Sequence, residues 1–386
     1  MRRRVSLAAM STLFDPVRFG DIALANRVVM SPLTRTRAPG ELATPLMARY
    51  YAQRANPATG AGLIISEAIQ VCPEGIGYLD TPGLYTPEQT AAWKPVTDAV
   101  HAAGGRIVAQ LWHVGRISHD LLQPGGGAPV SSSNRPAVTN VKVRTPQGAM
   151  PPSVPRPLRL DEIPGVIAAY RQAARNAIAA GFDGVQVHGA NGYLLEQFLR
   201  DSINDRTDAY GGSIANRARL LLEVMQAIVD EIGAGRTSLR LSPVTPANDA
   251  PQDSDPQALY TYIAAQLAPM KLAFLEVVEG ATGGPRNPAE YGARPFDYAA
   301  MRAAFGGPWV VNNGYTRAMA LEAVASGRAD AVSFGRPFIA NPDLTRRLRE
   351  DAPLTPVNGK TVYRPDAVGY TDYPTLDEQA ALTPAK

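Results

Sequence analysis

The stretch Gly184-Val-Gln-Val-His188-Gly-Ala-Asn191-Gly-Tyr193 divides into two halves. Its first five residues alternate valine with other side chains in a short strand pattern. The remainder is glycine-rich and carries His, Asn and Tyr, which a chain places on a loop. Segments of helical period flank it, 161–180 before and 213–232 after, the second with an apolar stripe of Leu220, Leu221, Val224 and Ile228. A strand between two helices, with polar groups gathered just past its C-terminal end, is one unit of a parallel βα sheet.

The same unit recurs along the chain. Strand patterns fall at 27–31, 63–68, 106–111, 184–188, 238–241, 274–278, 309–312 and 331–334. Helical patterns fall at 46–53, 87–103, 161–180, 213–232, 256–267, 296–305, 316–326 and 341–350. Eight pairs predict the α/β class and a single (β/α)8 TIM barrel. Ser213 and Thr316 stand where a hydroxyl caps the first amides of a helix. The Pro/Gly/Ser-rich stretch 123–157 is too long for an ordinary connection and predicts a loop or hairpin excursion after the third strand. After residue 351 no period is evident, yet Val362-Tyr363 and Tyr370 are costly to leave in water, so this tail is expected over the barrel mouth. The domain plan is a disordered leader at 1–11, a barrel over 12–376 and a C-terminal tail at 377–386.

Composition narrows the function classes. Of 386 residues, 38 are basic and 35 acidic, a net charge of +3, and only five are lysine, which argues against a basic surface built for nucleic acid. The single cysteine, Cys72, makes no intramolecular disulfide and no iron–sulfur or zinc cluster, as fits a reducing, cytoplasmic setting. No stretch reaches membrane-spanning length. The expectation is a soluble monomer or homodimer acting on small molecules.

In a barrel, reactive groups collect at the C-terminal strand ends. Here those ends supply Ser31 to Thr34, Ser66 to Ala68, Gln110 to His113, His188 to Tyr193, Arg240, Asn312 to Tyr315 and Phe334 to Arg336. A Schiff-base aldolase needs a lysine there, and Lys271 precedes its strand instead. Of four histidines only His188 ends the fourth strand, too few for a metal hydrolase. Strands seven and eight do offer an anion site. Gly314 and Gly335 permit close backbone approach, the helix opening at Thr316 adds its dipole, and Arg336 supplies a planar fork. Either glycine alone merely turns the chain; their joint occurrence at the usual phosphate position of this fold favours a phosphorylated cofactor.

These residues resemble the Old Yellow Enzyme family, in its FMN-dependent ene-reductase branch. The match runs from residue 13 to about residue 376. Its most specific part is the segment 188–213, His-Gly-Ala-Asn-Gly-Tyr through Asp-Ala-Tyr-Gly-Gly-Ser, supported by Ser31-Pro-Leu-Thr-Arg35, Ala109-Gln-Leu-Trp-His-Val-Gly-Arg116 and Phe334-Gly-Arg336. The resemblance implies a tightly bound, non-covalent FMN and NADPH or NADH as transient reductant. It sets Thr34 at the flavin C4 carbonyl, Gln110 at the pyrimidine edge with Pro32, Leu33 and Ala68 beside it, and Arg240 near N1 and O2. Asn313, Gly314, Phe334, Gly335 and Arg336 would surround the phosphate. Asn313 stands where relatives carry a small residue, and Val362 where some carry an aromatic.

The catalytic expectation rests on His188, Asn191 and Tyr193. The first two, three residues apart past a strand, would donate to one substrate oxygen and so withdraw electrons from a conjugated C=C bond. Tyr193 would protonate the α-carbon with a phenol of ordinary pKa, about 10. Trp112, Tyr78 and Tyr363 match positions lining the family's substrate pocket, Tyr363 as a lid. The predicted activity is an NAD(P)H:flavin oxidoreductase of the ene-reductase or NADPH dehydrogenase type, acting on activated alkenes by a ping-pong cycle. A nitrate-ester or nitroaromatic reductase and a non-catalytic flavin redox protein are the alternatives.

Overall fold

The structure, a computed structural model, describes residues 11–139 and 141–382. All of the expected leader except Ser11 lies outside these residues. Chain order begins with an antiparallel hairpin, β1 (Val17–Phe19) and β2 (Ile22–Leu24). Its Phe19, Ile22 and Leu24 pack with Val29, Ile65, Val108, Phe274 and Val310 in one buried cluster that plugs the barrel interior. This hairpin is absent from the strand patterns expected from the sequence, because three-residue strands carry little periodic signal.

Then follow β3 (Val28–Met30), α1 (Pro45–Ala52), β4 (Leu63–Gln70), α2 (Pro87–Ala102) and β5 (Ile107–Trp112). The long excursion comes next, with β6 (Val130–Ser131), β7 (Val143–Thr145), β8 (Gly148–Met150) and β9 (Arg156–Pro157). Strands β7 and β8 form the anticipated hairpin, while β6 and β9 pair in parallel at its base. The regular alternation resumes with α3 (Ile163–Ala179), β10 (Gly184–Gly189), α4 (Leu194–Leu199), α5 (Ile214–Ile232), β11 (Thr237–Leu241), α6 (Pro256–Leu267) and β12 (Phe274–Val278). The last elements are α7 (Tyr298–Phe305), β13 (Trp309–Asn312), α8 (Arg317–Ala325), β14 (Ala331–Phe334), α9 (Arg336–Ala340), α10 (Leu344–Glu350) and α11 (Leu376–Leu382).

Strands β3, β4, β5, β10, β11, β12, β13 and β14 close into one parallel barrel, β14 pairing with β3. Every residue of these eight strands is buried, as expected where side chains pack the interior and helices cover the outside. The helices deliver their apolar stripes outside the strands: Leu221, Val224 and Ile228 of α5 join Tyr170 and Ala173 of α3 and Val185 of β10 in the main core. Ser213 and Thr316 cap α5 and α8 through their hydroxyls, accepting from the amides of Asn216 and Met319. No helix among the described residues is long and apolar enough to cross a membrane.

Two boundaries differ from the sequence expectation. The helix expected over 341–350 starts only at Leu344, as α10, and an unexpected short helix, α9, precedes it, the two separated at Asn341-Pro342. Proline disfavours helical backbone in the residue before it, and the Asn341 side chain instead bridges Pro337 O and the Thr355 backbone. Helix α4 is not among the helical patterns expected from the sequence. Its six residues are all buried, so it has no polar face and no period to detect.

The tail does cross the mouth, and three buried arginines hold it. Arg35 donates to the carbonyls of Val362 and Gly369, Arg37 to those of Thr361, Val362, Asp366 and Val368, and Arg54 to Phe338, Ile339 and Tyr370. The cations of Arg35 and Arg37 lie over the ring of Tyr370, which stacks on Tyr50 at 3.9 Å, and that of Arg54 lies over Tyr50. Tyr370→Ala removes that buried stack, and the expected cost is about 3 kcal/mol, read as a lowered urea midpoint. An unchanged midpoint would contradict the account of the tail as part of the core.

Candidate active site

The floor of the barrel mouth is a continuous polar layer. Parallel pairing sets His188 beside Arg240 and Arg240 beside Glu276, so consecutive strands β10, β11 and β12 present all three at one level. Glu276, fully buried, accepts from Arg240 Nη1 at 2.5 Å, from Gln186 Nε2 at 2.8 Å and from the Ser333 hydroxyl. Gln186 in turn accepts from Gln110 Nε2 at 2.9 Å. On the other side Arg240 Nη2 donates to Asn312 Oδ1 at 3.0 Å, and Asn312 Nδ2 donates to the Ser31 hydroxyl and the Ser333 carbonyl. Six of the eight barrel strands contribute, with Ser31 joining from just past the end of β3. Sequence reading missed Glu276 and Gln186; the available signal was a lone carboxylate inside the apolar run Phe274-Leu-Glu-Val-Val278, where a buried charge needs a partner.

Past β10 the chain turns sharply. Asn191 and Gly192 both take left-handed backbone, φ 58° and 75°, and a Cβ on Gly192 would meet Ala247 O at 2.5 Å. Helix α4 anchors the turn from below: Glu196 accepts from Gly192 N, Ser242 Oγ, Tyr260 Oη and Arg200, and Gln197 Nε2 donates to Gly192 O. Ser242 Oγ also accepts from Asn191 N at 2.8 Å.

This scaffold fixes which protons are free. His188 Nδ1 accepts from Ala190 N at 3.3 Å, which puts the ring proton on Nε2. Burial, reinforced by the positive charge of Arg240, drops the His188 imidazole to about 3, so the ring is neutral. Asn191 Oδ1 accepts from Thr282 Oγ1 at 2.7 Å, which leaves its Nδ2 as the donor without a partner among the described residues. Thr282 had no sequence signal, since it reaches Asn191 across 91 positions.

Tyr193 and Tyr78 share a hydrogen bond of 3.1 Å between their hydroxyls. Trp112 lies between the groups, stacked on Tyr78 and on His188, with the Tyr193 edge against it at 4.8 Å. Burial raises the Tyr193 phenol above its ordinary value, against the lowering effect of its bonds with Tyr78 and Asn248. The unperturbed phenol expected from sequence is therefore corrected: a buried hydroxyl loses the water that would stabilise its phenolate.

Above the floor opens a cavity of about 1040 Å³, lined among others by Pro32, Leu33, Thr34, Tyr78, Asn191, Tyr193, Arg336 and Tyr363. The tail contributes one wall through Val357, Gly359, Val362 and Tyr363. Tyr363 is 60% exposed, positioned at the rim rather than closed over it. Ala68 packs in the cluster of Trp112 and Tyr193. Gln110, His188 and Arg240 lie deeper, while Phe334 O receives Ser31 N and so ties β14 to β3. Gly314 takes φ 62°, and Gly335 begins α9 with ordinary negative φ. The Asn313 side chain points away from both, donating to the carbonyls of Glu279, Ala281 and Gly284 and so bracing the loop that carries Thr282.

Several groups in this region have no protein partner. Arg240 Nε and Trp112 Nε1 are buried without a hydrogen bond. Arg336, exposed to the cavity, forms no ion pair or hydrogen bond with a described residue. A planar ring with acceptor atoms over the floor and an anion at Arg336 would satisfy these donors, so the residues fit a flavin nucleotide. A barrel with such a mouth has the donors and the room for a phosphorylated, aromatic cofactor.

Comparison with known proteins agrees. Residues 12–355 match the NADH:flavin oxidoreductase / NADH oxidase family. The chain is 47% identical over 379 residues to 12-oxophytodienoate reductase 7 of Oryza sativa subsp. japonica, covering 95% of each. An Old Yellow Enzyme homologue from Zymomonas mobilis superposes with a TM-score of 0.89 at 46% identity, over 95% of this chain and 100% of that one. Morphinone reductase gives 0.88 at 43% identity, over 96% and 99%. The chain belongs to this family and is an Old Yellow Enzyme-type oxidoreductase.

Glu276→Gln tests the floor. The substitution leaves Arg240 buried without its counter-charge, and the expected loss of stability is about 3 kcal/mol by chemical denaturation. A variant as stable as the parent would show that the pair does not hold the barrel mouth together.

Proposed function

We propose that the protein is an FMN-dependent ene-reductase that draws electrons from NADPH or NADH and saturates the C=C bond of α,β-unsaturated carbonyl compounds and nitroalkenes. The observation that carries this reading is the grouping around one mouth of two unpaired N–H donors, His188 Nε2 and Asn191 Nδ2, with the Tyr193 hydroxyl. Morphinone reductase has been solved in complex with tetrahydroNAD, which supports a nicotinamide nucleotide as reductant.

Bound FMN would supply the two-electron chemistry, taking hydride from the nucleotide and passing it to the β-carbon of the acceptor. In this assignment Gln110, Thr34, Pro32, Leu33 and Ala68 hold the ring system, and Arg240 places a positive charge beside it. Arg336 and the backbone at Asn313, Gly314, Phe334 and Gly335 hold the phosphate. His188 and Asn191 grip the acceptor oxygen and stabilise the negative charge that develops there. Tyr193 gives its proton to the α-carbon. Tyr78, bonded to the same oxygen, stabilises the phenolate left behind. Trp112 and Tyr363 shape the acceptor space.

Purified protein is expected to be yellow, to bleach anaerobically with NADPH and to regain colour with 2-cyclohexenone; failure of the last step refutes the proposal. Tyr193→Phe is expected to slow reoxidation by the enone about a hundredfold relative to reduction, with nitro acceptors less affected. Equal loss in both half-reactions would refute the proton-donor assignment. With its pKa near 3, His188 stays a neutral donor at every higher pH. Acceptor affinity is thus expected to be flat from about pH 5 to about pH 8, where an ordinary histidine changes charge. A break near the usual histidine pKa that vanishes in His188→Asn would contradict this.

A further inference from the structure

The segment Ala281-Thr-Gly-Gly-Pro-Arg286 is largely exposed, yet it delivers one hydroxyl to the Asn191 amide. Around that hydroxyl the protons can be counted. Thr245 Oγ1 gives its one proton to Gly280 O at 2.7 Å, so toward Thr282 Oγ1, 3.3 Å away, it can only accept. The Thr282 proton then has two takers, Asn191 Oδ1 at 2.7 Å and Thr245 Oγ1 at 3.3 Å. Given to Asn191, it ties up the amide oxygen and leaves Nδ2 for an acceptor oxygen. Given to Thr245, it lets Thr282 Oγ1 accept from a turned-over amide, whose Oδ1 would face and repel that oxygen. Both arrangements satisfy every group, so the place of Thr282 decides between them. A separation of 2.7 Å is a usual O–H···O length and short for N–H···O, which selects the first.

Asn313 sets that place. Its side chain, 5% exposed, donates through Nδ2 to Glu279 O at 2.9 Å and to Ala281 O at 2.7 Å, and its Oδ1 accepts from Gly283 N at 3.1 Å. Two of these bonds fall on the residues either side of Thr282. Arg286 adds a pin, donating to Asn313 O at 2.9 Å and pairing with Glu279. The grip comes with backbone strain: Asn313 has φ 101°, a conformation that residues with a side chain rarely adopt. Such a conformation persists only where the surroundings over-determine it, and glycine would hold it freely.

We propose that Asn313 is a positioning residue for the acceptor site: by stapling 281–283 it holds the Thr282 hydroxyl as a donor to Asn191 Oδ1, so that the Asn191 amide offers N–H to the acceptor oxygen. The inference rests on the ene-reductase reading, in which His188 and Asn191 grip that oxygen. It gives Asn313 a task its backbone, assigned above to the phosphate, does not explain.

The test uses four holoproteins: the parent, Asn313→Gly, Thr282→Val and the double variant. Glycine suits φ 101°, so Asn313→Gly removes the staple while relieving the strain. Each protein is reduced with dithionite and reoxidised by 2-cyclohexenone, whose oxygen needs Asn191, or by ferricyanide, which takes single electrons without it. The ratio of the two rate constants cancels changes in flavin content or general reactivity. Asn313→Gly is expected to lower the ratio about tenfold, chiefly through a raised Kd for the enone, and Thr282→Val to do the same. The double variant is expected to match Thr282→Val within about twofold, because a staple with no hydroxyl to place does nothing for the amide. Thr282→Ser, which keeps the hydroxyl, is expected to restore the ratio. Hydrogen exchange over 281–286 is expected to quicken in Asn313→Gly, where Gly283 N loses its acceptor. A ratio within about twofold of the parent in Asn313→Gly, or losses that multiply in the double variant, overturns the proposal. If 2-cyclohexenone does not reoxidise the parent, the ene-reductase reading fails instead. The Kd of the oxidised proteins for cyclohexanone, read from flavin absorbance, then decides the staple through the same four proteins: a rise of about tenfold in Asn313→Gly, with none added in the double variant, supports it, and an unchanged Kd overturns it.

Discussion

The buried pair Arg240–Glu276 is the constraint on which the mouth of the barrel depends. A guanidinium held almost entirely away from water needs a counter-charge, and Glu276 on the adjacent strand provides it within one level of the register. Glu276 then has lone pairs left, which draw in Gln186 and Ser333, and Arg240 has a donor left, which draws in Asn312. Each partner recruits the next until the layer spans the barrel. One donor is left over, Arg240 Nε, and it is this residue of unmet bonding that a flavin ring would satisfy.

The same charge governs the chemistry one strand away. Arg240 and burial together keep His188 neutral, and the Ala190 amide fixes its tautomer. A neutral imidazole donates to an acceptor oxygen without a proton leaving, so its task is to polarise. In the proposed reaction the proton comes from elsewhere, and the phenols of Tyr193 and Tyr78, paired with each other and both in contact with Trp112, are the groups proposed to supply it.

The barrel was legible because its strands are short apolar runs bounded by glycine and polar strand ends, and the pattern survives eightfold repetition. The candidate site was legible where unusual residues stand at those ends: His188, Asn191, Tyr193 and Arg336, which the fold brings to one mouth. What the sequence hid is of two kinds. Short elements such as β1, β2 and α4 lack enough residues to show a period. Supporting groups such as Glu276, Glu196 and Thr282 act through contacts dozens of positions away, and only Glu276, a lone carboxylate in an apolar run, is marked locally. Tyr193 shows the limit most plainly, since its residue type announced a proton donor but its raised pKa belongs to the fold around it.

The central claim is that this mouth moves hydride from nicotinamide to the β-carbon of an activated alkene. Reduction of 2-cyclohexenone with NADPH stereospecifically deuterated at the transferred position, in ordinary water, tests it most directly. The account predicts a saturated ketone with deuterium at the β-carbon alone and hydrogen from solvent at the α-carbon. Deuterium at the α-carbon, or its loss to water with no label in the ketone, would contradict it.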